Sequence, residues 1–147
     1  MGLILLMPLW RTNSQPMSHE YLSRTLESEN RFVRLTALKK IREGHLDPSR
    51  FSAYKPILTS SNTAERYWLA KSLHISESDR TYEDLLNFLE YPSPVVVSAA
   101  LFSLGQRGEK KVIPKILKRI KTSDHWYVQW YAYKALKSLG WKQKNPF

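Results

Sequence analysis

Four segments of this chain repeat one pattern at intervals of 31 to 35 residues, and that interval restricts what the chain can fold into. They read RFVRLTALKKIREG (31–44), AERYWLAKSLHIS (64–76), VVVSAALFSLGQRG (95–108) and WYVQWYAYKALKSLG (126–140). Aligned on a small-Leu centre, Ala37, Leu69, Ala100 and Ala135 correspond, at separations of 32, 31 and 35 residues. The position four residues later is Ile41, Leu73, Leu104 or Leu139, apolar each time. Apolar residues recur at helical spacing throughout residues 17–140, and strand-like alternation is nearly absent.

A second amphipathic segment precedes each copy, near residues 19–28, 48–60, 80–91 and 110–122. The joints carry turn and cap chemistry at Ser28 to Asn30, Ser60 to Asn62, Pro92-Ser93-Pro94 and Ser123-Asp124. Ser, Asp and Asn oxygens accept hydrogen bonds from the free N–H groups of a helix start, and proline fits the first turn where its missing N–H costs least. The pattern predicts eight helices in four antiparallel pairs, spanning about 17–44, 46–76, 79–108 and 109–140. One pair of about 32 residues cannot bury its own apolar face, so pairs stack and share a continuous core. The fold class expected is therefore all-α, an α-solenoid. Burial from two sides accounts for the absence of charge from Val95 to Leu104.

The stretch EKKVIPKILKRIKTSDHWYVQWYAYKALKSLG (109–140) resembles a HEAT repeat of the short bacterial kind, in V-I-P-x-I-L-x-x-I, the S-D turn and A-L-x-x-L-G. Residues 79–108 and 30–44 share the likeness, which covers roughly 17–140. The pair at 48–76 departs most, with Glu65-Arg66 where Val is usual and Trp68 at its centre. The resemblance implies a right-handed superhelix whose second helices line a concave surface. It also implies that Arg34 and Arg66, equivalent in the alignment, bond neighbouring turns or acids. About function it implies little, because such solenoids serve unrelated roles.

Charge is distributed unevenly. Residues 106–147 hold eleven basic and two acidic residues, whereas residues 1–105 hold twelve basic and eleven acidic. A nearly neutral body with a basic end points to an anionic partner at that end. Lys111, Lys115 and Lys118 fall at i, i+4 and i+7, flanked by Lys110, Arg119 and Lys121, a ridge suited to phosphate groups on nucleic acid or lipid or simply to solvent. In the last copy, Val128, Tyr131, Ala132, Ala135 and Leu139 have core spacing, whereas Trp126, Trp130, Tyr133 and Lys137 share another face. Those rings either contact a partner or cap the final repeat, with residues 141–147 as a possible cover.

Residues 1–16 stand apart. The apolar run 2–10 has nine residues, well short of the roughly 20 that span a bilayer. It lacks a charged n-region, and Leu6 breaks the myristoylation pattern. A docked tail, an interfacial anchor using Leu3, Ile4, Leu5, Leu6 and Trp10, and the end of a membrane segment all remain open.

Catalytic and metal signatures are missing from the sequence. There is no cysteine, and none of His19, His45, His74 and His125 stands in an H-E-x-x-H arrangement. His19-Glu20 is half of the paired motif found in di-iron relatives of the fold, and half a site holds no metal centre. Glu77, Asp79, Glu83 and Asp84 cluster where a helix start favours negative charge. The expectation is a non-catalytic protein-interaction scaffold without cofactor, cytoplasmic or peripheral at a membrane. A membrane-associated regulatory module and a nucleic-acid binder are the alternatives.

Overall fold

The computed structural model describes residues 18–144. Within them lie α1 (His19–Leu26), α2 (Arg31–Glu43), α3 (Tyr54–Leu58), α4 (Thr63–Ser72), α5 (Asp79–Leu89), α6 (Pro94–Arg107), α7 (Ile113–Thr122) and α8 (Trp126–Ser138), with no strand among the described residues. The all-helical expectation holds. Two first helices are shorter than the periodicity predicts. Residues 48–60 open with a 3₁₀ turn, Pro48–Arg50, held by the Asp47 carboxylate accepting from the Ser49 N–H at 2.9 Å. Lys110–Val112 forms a similar turn before α7. Pro48 at the start of the first turn fixes φ without supplying an N–H, which suits a tight single turn, whereas Pro114 falls in the first turn of α7.

Each odd-numbered helix packs on the even-numbered helix that follows, and α2, α4, α6 and α8 pack in a row on one another. The odd-numbered helices make few contacts among themselves. A row packed more tightly than the other curves the stack towards itself, so the free side of the even helices is the inner face. One core runs through all of them, from Leu22 and Leu38 through Leu69, Leu85 and Leu101 to Ile116 and Leu136.

The even helices start on Asn30, Asn62, Ser93 and His125, at separations of 32, 31 and 32 residues. The His125 ring accepts from the Tyr127 N–H at 3.2 Å, so His125 and not Asp124 caps α8. Caps at that interval place Ala132, not Ala135, opposite Ala37, Leu69 and Ala100. The small-Leu alignment slipped by one helical turn because α8 carries alanine at both positions. Ahead of three caps stands a serine, Ser28, Ser60 or Ser123, whose hydroxyl accepts the N–H of the cap. Its carbonyl accepts a side chain from the next helix: Arg34 at 2.7 Å, Arg66, and Gln129 at 2.8 Å. The implied role of Arg34 and Arg66 in bonding turns is thus observed. The Pro92-Ser93-Pro94 turn lacks this device, and Val97 stands where the donor would be.

Close packing between the even helices requires small residues. A Cβ on Gly105 would lie 3.1 Å from the Cα of Ala135 and 3.2 Å from its Cβ, so glycine lets α6 and α8 approach. The buried Ser103 hydroxyl donates across the α4–α6 seam to the Ala70 carbonyl.

Candidate functional site

Position relative to the cap sorts the side chains of the even helices into faces. Eight residues after the cap stand Leu38, Ala70, Leu101 and Tyr133. The first three are buried, whereas Tyr133 is 52% exposed. Twelve residues after it stand Arg42, His74, Gly105 and Lys137, and Gly105 is the residue that meets Ala135 of the following helix. Position eight lies on the forward stacking face, which carries the next even helix; position twelve is buried there at Gly105 and only half-buried at Arg42 and His74. On α8 nothing among the described residues follows, and Trp126, Trp130 and Tyr133 stand 70%, 53% and 52% exposed. Trp130 and Tyr133 lie near parallel, with ring centroids 6.5 Å apart.

The structure therefore brings Trp126, Trp130, Tyr133 and Lys137 together, but at the open end of the stack and not on its inner face. Residues 141–144 leave the three rings exposed. Trp141 folds back as a half-buried ring against the core, and a recess of about 340 Å³ lies between it, Tyr133 and Lys137. Tyr131 is half-buried against the core with its ring 4.9 Å from that of Tyr127.

The basic ridge is less uniform than its spacing predicts. Lys110 and Lys111 lie on the 3₁₀ turn before α7. Lys111 is engaged, with Nζ 3.1 Å from Glu109 Oε2 and 4.2 Å from the Tyr82 ring centroid. Glu109 also accepts from Arg107 Nε at 2.8 Å. Burial pulls the Glu109 carboxyl up, but the hydrogen bonds from Arg107 and Lys111 outweigh it and hold it below its ordinary value. Arg107 in turn donates to the Ser76 carbonyl, to Thr81 Oγ1 at 3.1 Å and to the Ser78 carbonyl at 3.1 Å, tying α6 to the turn before α5. Arg119 is half-buried and donates weakly to Thr122 Oγ1 at 3.4 Å. Lys110, Lys115, Lys118 and Lys121 stand exposed without a carboxylate partner among the described residues. Leu3, Ile4, Leu5, Leu6 and Trp10 lie outside the described residues.

Sequence reasoning missed the residues that line the inner face. Nine residues after each cap stand Lys39, Lys71, Phe102 and Lys134. Lys39 Nζ lies 5.3 Å from the Trp68 ring centroid, Lys71 Nζ 5.5 Å from Phe102, and Lys134 Nζ 5.7 Å from Tyr131. The guanidinium of Arg42 lies 5.6 Å from Phe102, two even helices along, a reach that the inward curve of this face allows. A recess of about 590 Å³ opens between Lys39, Arg42, Trp68, His74 and Phe102. The signal was present in the sequence as a recurrence at 32, 31 and 32 residues, and it emerges once the copies are aligned on their caps.

Glu65, the residue that departs from the repeat pattern, is buried. Its carboxylate accepts from Arg34 Nε at 2.5 Å and from the Ser60 hydroxyl, joining α2, α4 and the turn between α3 and α4. The acidic cluster disperses: Asp79 is in the first turn of α5, and Asp84 accepts from the Tyr54 hydroxyl at 2.6 Å; burial, helped by that bond, drives the phenol far above its usual range. The His19 ring stacks on Phe51 at 4.3 Å. No group of three or more potential metal ligands gathers among the described residues, and none of their helices is long and apolar enough to cross a membrane.

No curated protein sequence matches the chain. A profile of HEAT repeats matches residues 51–137, more than half of the 147 residues. HEAT repeats generally mediate protein–protein interaction and are typically non-catalytic. Helix pairs stacked along one row, cap to cap at a constant interval, are the architecture behind that profile, and the protein belongs to the HEAT-repeat family.

Proposed function

We propose that this protein is a non-catalytic interaction scaffold whose docking surface is the open end of α8, with Trp126, Trp130, Tyr133 and Lys137 as the contacts. One observation carries the reading: Tyr133 stands exposed where Leu38, Ala70 and Leu101 are buried under the next even helix, and Trp130 where Leu35, Tyr67 and Ser98 are buried or half-buried, with Trp126 and Lys137 extending the same face towards the two ends of α8. A helix of a partner protein laid on α8 extends the stack. Large rings there supply area at low entropic cost and favour a partner with small residues between them. Exposed Lys110, Lys115, Lys118 and Lys121 on the neighbouring first-helix segment supply a positive field that steers an acidic partner during encounter.

The test is site-specific photo-crosslinking in cells, with the probe amino acid at position 133 and, as control, at position 80 on the exposed part of α5. The expectation is a protein adduct specific to position 133. The adduct's purified protein should then bind wild-type chain and lose at least tenfold in affinity for Trp126→Ala/Trp130→Ala, as expected for about 1.4 kcal/mol or more at an aromatic anchor. Equal crosslinking at both positions sinks the proposal.

A further inference from the structure

We propose that the inner face bounded by Lys39, Arg42, Trp68, Lys71, Phe102 and Lys134 binds an extended acidic segment of a protein, at a site separate from the end of α8. Lys39, Arg42, Lys71 and Lys134 form no ion pair with a carboxylate among the described residues. Arg42 Nε is covered and makes no hydrogen bond. Of the residues lining the recess, Glu43 is the sole acid, and its carboxylate lies 3.5 Å from Lys40 Nζ. His74 adds little positive charge, because burial keeps its pKa below the usual value while its Nδ1 is engaged by the Lys71 carbonyl at 3.0 Å. The face is therefore a row of cations awaiting anions.

Geometry selects the anion. Each cation rests on a ring: Lys39 on Trp68, Arg42 on Phe102, Lys71 between Phe102 and Tyr67, whose hydroxyl it also meets at 3.0 Å, and Lys134 between Tyr131 and Trp130. Rings whose faces are already occupied by the protein's own cations are poor platforms for stacking bases. They serve instead to hold the cationic groups at fixed height, which lowers the ordering cost of pairing them with carboxylates. Packed helices lie about 8–10 Å apart, and an extended chain advances about 3.3 Å per residue, so a carboxylate every third residue meets successive even helices. At α6 the row has no cation of its own, and the Arg42 and Lys71 groups that lie over the Phe102 ring carry positive charge across that step.

The test uses the full chain and fluorescein-labelled Gly/Ser peptides followed by anisotropy. The matched peptide carries glutamate at three-residue steps. The controls are the same composition with the glutamates contiguous, a glutamine version, and an oligothymidylate of equal charge. Binding by the matched peptide above all three controls is expected. Lys39→Gln and Lys71→Gln, both at solvent-accessible positions, should each weaken it about 3–5-fold, with the helical circular dichroism unchanged. Trp126→Ala/Tyr133→Ala should leave the affinity as it is, which separates this site from the end of α8. Equal binding of the contiguous peptide, tighter binding of the oligothymidylate, no binding of any probe, or an unaltered affinity in Lys39→Gln/Lys71→Gln/Lys134→Gln would each overturn the proposal.

Discussion

Replacing Glu65 by glutamine probes the bond that joins the first helix pair to the second. The Glu65 side chain is 2% exposed and that of Arg34 24%, and the two meet at 2.5 Å. Glutamine preserves the volume and one acceptor oxygen, and its amide can donate to the Ser60 hydroxyl, so the change removes the charge with little else. A charge-assisted hydrogen bond in partial burial contributes about 2 kcal/mol, and that is the expected cost of Glu65→Gln. Arg34→Met is worse, about 3–4 kcal/mol, because it strands a buried carboxylate and abandons the Ser28 and Glu29 carbonyls. In the double variant Glu65→Gln relieves that stranded charge. The pair should then cost about 3 kcal/mol together, well under the sum, which makes the coupling about 2–3 kcal/mol. Urea titrations followed by helical circular dichroism measure all three values, and thermal midpoints should track them at about 3–6 °C per kcal/mol. Additivity within about 0.5 kcal/mol would refute the reasoning, since it would mean that the two side chains do not sense each other.

Gly105→Val should cost about 2–3 kcal/mol in the same titration, because the new Cβ meets the backbone of α8 and cannot be relieved by a rotamer change; a neutral result would show that the seam is looser than 3.1 Å implies. Trp130→Ala should change stability by less than about 0.5 kcal/mol, whereas Val128→Ala two residues away should cost about 2 kcal/mol; a comparable loss for both would place Trp130 in the core. Stability should fall with acidification below about pH 6.5. There the unfolded chain protonates its His74 imidazole first, while burial delays protonation in the folded chain, and the fall stops once pH is below the folded value. His74→Gln should flatten that segment of the pH profile, and an unchanged slope would remove His74 as its source.

Helix positions, the repeat interval and the buried stripes were legible from residues 31–140 because each rests on local chemistry. Asn30 and Asn62 cap helices through their own side chains, and the 3.6-residue period marks which face turns inward. The structural duty of Arg34 and Arg66 was readable through the family likeness. What remained hidden was every property that depends on the neighbour. Periodicity separated Trp126, Trp130 and Tyr133 from the core stripe of α8, yet it could not tell a stacking face from an inner face, because both lie beside that stripe. Ala132 and Ala135 are one turn apart on one surface, so composition alone could not set the register that the caps reveal. Glu65 looked like a departure from the repeat until Arg34, 31 residues earlier, came within 2.5 Å. The inner row of Lys39, Lys71 and Lys134 became a surface when stacking laid successive helices side by side. A sequence determines the patterns a helix carries along its own axis; which pattern meets a helix, a charge or water is decided by the packing between helices.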